Sequence, residues 1–169
     1  DNLTGIAIAF EVFKNFADAS AKGKSVLKNT RLKFVSFGSE ETGLMGSMNY
    51  VLAQREELKK ENAHIVNVDS IRVPEEVSMV QKELMSGTKH SPLLINLLAK
   101  CFASKNIPLK KGTIPIGGTD AVFFARAGLP SVSIIGIAMD KLDPTYHTRR
   151  DVIENLNPVA LENVKNGVS

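Results

Sequence analysis

The 169-residue sequence has no tryptophan, two tyrosines and a single cysteine. With only Cys101 available, an internal disulfide is excluded. Cys101 stands in the apolar run Leu97-Leu98-Ala99-Lys100-Cys101-Phe102 and reads as a small buried hydrophobe. No apolar run is long enough for a membrane-spanning helix. A dominant charge is missing as well: 21 Lys and Arg stand against 18 Asp and Glu, a net +3. The short basic clusters Lys22-Gly23-Lys24, Lys59-Lys60 and Lys110-Lys111 have no interleaved aromatics, so nucleic-acid binding finds no support. There is no repeat, low-complexity tract or linker. What remains is 43% hydrophobic and 23% charged, the composition of an ordinary globular domain large enough to bury one core.

Periodicity supplies the elements. Leu3, Ile6, Ala7, Phe10, Phe13, Phe16 and Ala17 share one face of a helix over 3–21. A loop over 22–30 leads to a β-rich run, RLKFVSF, at 31–37. A second helix is expected over 44–60, and strands at 63–69 and, briefly, 77–80. Ser91 caps a helix running to about 105, with Pro92 in its first turn. Gly117-Gly118-Thr119-Asp120 opens a short helix through Ala127, which Gly128 and Pro130 end. SVSIIGI at 131–137 is a continuous buried strand, 139–157 is mostly loop, and Asn157-Pro158 opens a last helix. Alternation of helix and strand throughout predicts one domain over 1–169: an α/β sandwich whose central sheet is at least partly parallel.

In such sheets, sites form beyond the carboxyl ends of the strands. Glu40 and Glu41 follow the run ending at Phe37. Asp69 closes the next strand. His147, within Tyr146-His147-Thr148, lies in the loop after 131–137, and Asp1 just precedes the first helix. Brought to one rim, four carboxylates repel one another and hold their protons more tightly. A divalent cation relieves this, and a mixed carboxylate–imidazole set suits zinc, cobalt or manganese. Neighbours in extended chain point apart, so of Glu40 and Glu41 one can bind metal while the other takes a proton from the attacking water. Taken singly, each residue has an ordinary reading: Asp1 and Asp120 as helix caps, Glu40-Glu41 as solvated loop, Asp69 as a turn former, His147 as structural. His64 reads as a strand-edge residue and His90 as a loop residue, neither near an acid at ligand spacing.

The ordered segments DNLTGIAIAFEVFKNF, FVSFGSEETGLMGS, NVDS, GGTDAVFFARAGLPSVSI and YHTRRDVIENLN resemble the zinc-dependent exopeptidases of clan MH. That group covers aminopeptidases and the related glutamate carboxypeptidases and glutaminyl cyclases. The resemblance runs from Asp1 to about Asn157. It implies an α/β/α sandwich of three layers around a mixed, largely parallel sheet, a peptide substrate and two zinc ions. By the resemblance Asp1 bridges the ions, Glu41 and His147 complete one of them, Asp69 binds the other, and Glu40 is the general base. Gly118 and Asp120 fall in a segment expected to contact substrate.

Two departures from the family pattern stand out. The family's second metal takes a histidine upstream of the bridging aspartate, and nothing precedes Asp1 here. The chain therefore completes one metal site only, and its N-terminal part is expected to lie upstream. Many members also carry histidine after the aspartate of the 118–120 segment, where this chain has Ala121. Two rival functions stay open: a glutaminyl cyclase built on one metal, whose pocket typically uses the tryptophan this chain lacks, and a non-catalytic homologue.

Overall fold

The computed structural model describes residues 2–24, 27–138 and 143–169. Ten regular elements follow one another: α1 (Leu3–Ala21), α2 (Met45–Lys60), β1 (Ile65–Asp69), β2 (Ser78–Glu83), β3 (Thr88–Lys89), α3 (Pro92–Ser104), β4 (Lys110–Ile114), α4 (Ala121–Arg126), β5 (Ser131–Ile135) and α5 (Pro158–Val168). Short 3-10 turns occupy Pro74–Glu76 and Ile153–Asn155.

The sheet runs β1-β5-β2-β3, with β4 also on β2. β1 and β5 pair parallel from Ile65↔Ser131 to Asp69↔Ile135. β2 lies antiparallel to β5 and β3 and parallel to β4. The sheet is therefore mixed, as expected. Helices cover both faces. On one, Ile8 of α1, Leu94, Ile95, Leu98 and Phe102 of α3, and Ala160 and Val164 of α5 close over Met79, Val132 and Ile134. On the other, Val51 and Leu58 of α2 meet Phe124 of α4 and Leu129. β5 is buried at all five positions, which is why its sequence reads as unbroken rather than alternating. Its two serines face α4 and are satisfied there: Ser131 Oγ donates to Ala121 O at 3.0 Å, and Ser133 Oγ lies 2.7 Å from Thr119 Oγ1.

Three differences from the sequence reading have plain causes. Residues 31–37 join no ladder among the described residues. Their side chains still alternate: Arg31 and Lys33 pair with Glu57 and Glu61 of α2, Phe37 meets Tyr50 and Phe124, and Phe34 meets Phe10 and Phe13 of α1. The two-residue period is satisfied by helix packing without backbone pairing, because β1 pairs only with β5 among the described residues. β4, KKGTI, is polar and largely exposed at the edge, so hydrophobic patterning could not announce it. Cys101 is half-buried, not buried, because it sits on the flank of α3 rather than on the stripe of Leu94, Leu98 and Phe102.

One close approach sets the position of the site. An added Cβ at Gly5 would lie 2.2 Å from Val68 O and 2.5 Å from Asn2 Oδ1. Only glycine lets the first turn of α1 rest against the end of β1. Asn2 completes the join: its Oδ1 accepts from Gly5 N at 3.1 Å and from Ser70 N at 2.9 Å. Asn2 is thus the N-cap of α1, which leaves the capping reading of Asp1 without a purpose. Gly5→Ala gains helix propensity of at most about 1 kcal/mol, but it drives a methyl into a backbone carbonyl. A net loss of about 1–3 kcal/mol in denaturant titration is expected, and unchanged stability would show that this contact is not tight.

Candidate active site

Glu40 and Glu41 sit in a tight turn between residues 31–37 and α2. Gly43 N and Leu44 N both donate to Glu40 O, at 3.1 and 2.8 Å, and Met45 N donates to Ser39 O at 3.1 Å. Asp69 is the last residue of β1, and its Oδ1 accepts from Ser70 Oγ at 2.9 Å. Asp120 stands at the head of α4, but its side chain makes no capping bond. It is buried at 8% exposure, and its Oδ1 has no hydrogen-bond partner among the described residues. The capping reading of Asp120 therefore fails, because its side chain makes no hydrogen bond to the start of α4.

His147 reaches this rim from the loop after β5. Its Nε2 lies 2.7 Å from Glu41 Oε1, and both side chains remain open to solvent. The Tyr146 ring stacks on the imidazole with centroids 3.8 Å apart. A tether behind them holds the loop. Arg72 pairs with the buried Asp143 and donates from Nη1 to Thr145 Oγ1 at 2.7 Å. Asp143 Oδ1 in turn accepts from Thr145 N and Oγ1, each at 2.6 Å.

Arg72, Asp143 and Ser47 escaped the sequence reading, since nothing in their spacing links them to the site. Backbone conformation offers a further signal that a sequence hides. Six described non-glycine residues have φ in the left-handed region: Ser39, Leu44, Asn62, Ser70, Asn106 and His147. The two asparagines are ordinary there, but the other four flank or include site residues. Strain of this kind gathers where surrounding structure fixes functional side chains.

Electrostatics tie the group together. Burial, then the charges of Glu41, Asp69 and Asp120, push the Glu40 carboxyl up to about 7, with His147 opposing. Burial raises Asp69, against the Ser70 hydrogen bond, and Asp120 and Glu41 raise it further. Burial also raises Asp120, and a hydrogen bond from the Ser47 hydroxyl opposes it. Tyr146 is pushed up to about 12 by burial and then by Glu41, Glu40 and Asp69. Acidic groups that hold each other's protons this way make an excess of negative charge which a divalent cation neutralises. Glu41 and His147 form the mixed oxygen–nitrogen pair that suits zinc. Among the described residues no three His, Cys, Asp or Glu side chains close into a metal cage. Asp1 lies outside the described residues. Gly118 lies against the same rim, with an added Cβ 3.6 Å from Leu44 Cδ1. A depression of about 300 Å³, between α3 and the β2–β4 edge, holds none of these groups.

A pH dependence follows. The metal-free folded chain binds protons at Glu40, Asp69 and Asp120 that the unfolded chain, near 4.5 and 3.8, has released. Their contribution favours folding below those values and is lost as pH rises towards about 7. Chelator-treated protein should therefore lose stability in urea between pH 5 and pH 7, by the action of these groups, and zinc should flatten the profile. A metal-free profile that rises over that interval would show that the acids are not crowded.

The chain is 28% identical over 176 residues to aminopeptidase YwaD of Bacillus subtilis, which covers 96% of this chain and 34% of that protein. The chain thus spans about one third of that relative's length. A zinc aminopeptidase structure from Bacillus subtilis superposes with a TM-score of 0.64 at 25% identity, over 79% of this chain and 33% of that one. The fold also matches LapA of Legionella, with a TM-score of 0.73 at 20% identity over 99% of this chain and 45% of that one. The model of peptidase family M28 matches residues 1–169, and the chain belongs to that family.

Proposed function

We propose that the chain carries the catalytic rim of a zinc-dependent exopeptidase, and that it acts on the free amino end of peptides. The observation that carries this is the gathering of Glu40, Glu41, Asp69, Asp120 and His147 at one edge of the sheet, with Glu40 raised to about 7. When bound, zinc supplies a Lewis acid for the scissile carbonyl and acidifies the attacking water. Glu41 and His147 would hold one ion and Asp69 a second. Asp1 would bridge the two. Asn2, its neighbour in the chain, is fixed by its hydrogen bond from Ser70 N beside Asp69.

Glu40 is the residue that moves protons. Its carboxylate takes one from the attacking water and returns it to the departing amine. A group titrating near neutrality can do both at working pH. Asp120 is assigned to the substrate. Its buried, unpartnered Oδ1 suits the α-ammonium of a peptide, and an acidic rim repels a terminal carboxylate. The same logic favours aminopeptidase over carboxypeptidase action.

Aminoacyl anilides test the assignment. The free-amine substrate should be hydrolysed, the N-acetylated one should not, and chelation should abolish turnover until zinc is restored. Equal cleavage of both substrates would sink the amine-recognition reading, and chelator-resistant turnover would sink the metal reading.

A further inference from the structure

Away from the acidic rim, the chain spends a second carboxylate on a wholly buried position. Glu83, the last residue of β2, has 0% exposure, and both its oxygens are occupied. Oε1 accepts from Thr119 Oγ1 at 2.7 Å and stands 2.9 Å from His90 Nε2. Oε2 accepts from Thr119 N at 3.2 Å. Thr119 Oγ1 is also 2.7 Å from Ser133 Oγ, which accepts from Asn67 Nδ2 at 3.3 Å. His90, read from sequence as a plain loop residue, is in fact buried at 3% exposure in this network.

A carboxylate taken out of water is costly, and an apolar side chain of equal volume is often as stable or more so. The fold therefore gains little stability by placing glutamate here. What it gains is a two-point grip on one residue. Thr119 is held by backbone and hydroxyl together, which fixes both its position and its rotation. The next residue is Asp120. Gly118 shows how close the grip is: a Cβ there would lie 3.1 Å from Glu83 Oε2. The loop from β4 to α4, residues 115–120, is thus fastened to β2 from behind while Asp120 faces the rim, where Ser47 hydrogen-bonds it.

Resting on the metallopeptidase reading above, we propose that Glu83 is a positioning residue: through Thr119 it sets Asp120 at the distance from Glu40 and Asp69 that the substrate's α-ammonium requires. Glu83 touches no substrate itself. Polar networks of this kind fix one geometry among several that packing alone would allow.

The test uses the zinc-loaded full chain with Thr119→Val, Thr119→Ser and Glu83→Gln, each checked for zinc content and thermal midpoint. Thr119→Val keeps the shape and removes the hydroxyl. It is expected to raise KM for a free-amine anilide by about 10-fold, the worth of one buried charged hydrogen bond, while kcat changes much less. Glu83→Gln should act in the same direction. Thr119→Ser restores the hydroxyl and should return KM to within about threefold of wild type. Amide hydrogen exchange gives a readout independent of turnover: residues 116–121 should exchange faster in Thr119→Val, with the core of β5 unchanged. Unaltered exchange over 116–121, or a KM for Thr119→Val equal to wild type at full zinc content, overturns the proposal. Wild-type protein that binds zinc and hydrolyses nothing overturns the peptidase reading instead, and the exchange rates then decide for or against the clamp by themselves.

Discussion

Glu40→Gln is expected to leave the fold and zinc content intact and to lower kcat by about 10³-fold, within the range that a positioned acid–base group supplies. The two side chains have the same shape, so the turn at 39–44 is not disturbed. Its hydrogen bonds run through the backbone carbonyls of Ser39 and Glu40, not through the carboxylate. What glutamine removes is the ability to take and return a proton. It also removes one negative charge from the neighbourhood of Glu41, Asp69 and Asp120, which together raise Glu40. The metal-free variant should therefore be more stable than wild type at pH 8, by relief of repulsion. This pairing of a large loss in turnover with a gain in metal-free stability distinguishes a catalytic base from an ordinary surface glutamate, whose replacement changes neither. Steady-state kinetics, metal analysis and urea denaturation of one preparation suffice. A kcat within about threefold of wild type would remove Glu40 from the mechanism.

The legible part of the fold was the part governed by burial. The all-buried β5 and the Ser91 and Asn157 caps follow from side-chain periodicity and from donors that need acceptors, whereas the face expected on α1 is not the buried one: Leu3, Ile6, Ala7 and Phe10 are exposed, and the helix buries Gly5, Ile8 and Val12 instead. Ser91 Oγ accepts from Leu94 N at 3.5 Å and Asn157 Oδ1 from Val159 N at 3.0 Å. Edge features were not legible. β4 carries lysines because its outer side meets water, and residues 31–37 carry a strand's alternation although they make no ladder.

The site divides along a similar line. Glu40, Glu41, Asp69 and His147 could be singled out because their segments resemble a known pattern, and Asp69 and His147 also because they follow the parallel neighbours β1 and β5. The structure adds that Glu41 and His147 are in contact and that the Asp120 side chain makes no capping bond. The supporting residues are another matter. Glu83 and Thr119 are 36 positions apart, and Arg72 and Asp143 are 71 apart. Long-range polar pairs leave no periodic trace, since a single hydrogen bond imposes no spacing on either partner. Sequence reasoning therefore finds the groups that do chemistry more readily than those that aim them.

The aiming of His147 leads to the second large effect. Its backbone is held at φ 57, a conformation that histidine adopts only at some cost. Three contacts keep it there: the Tyr146 ring stacked on it, the Arg72–Asp143–Thr145 tether behind it, and Glu41 in front. His147→Ala should lower zinc affinity by well over 100-fold, since loss even of a group that merely supports a ligand costs about 10–100-fold. The other donors proposed in this chain, Asp1, Glu41 and Asp69, are all carboxylates, a set better suited to magnesium, calcium or manganese than to zinc. The variant should thus bind manganese with comparatively little loss, a shift in preference that general unfolding would not produce. Glu40 also loses the one neighbour that lowers its proton affinity, so any turnover left in the variant should need higher pH. Competition titrations against a chelator, run with zinc and with manganese on wild type and variant, separate these outcomes. Equal zinc affinity in the two proteins would place His147 outside the metal centre and leave its strained backbone without an explanation.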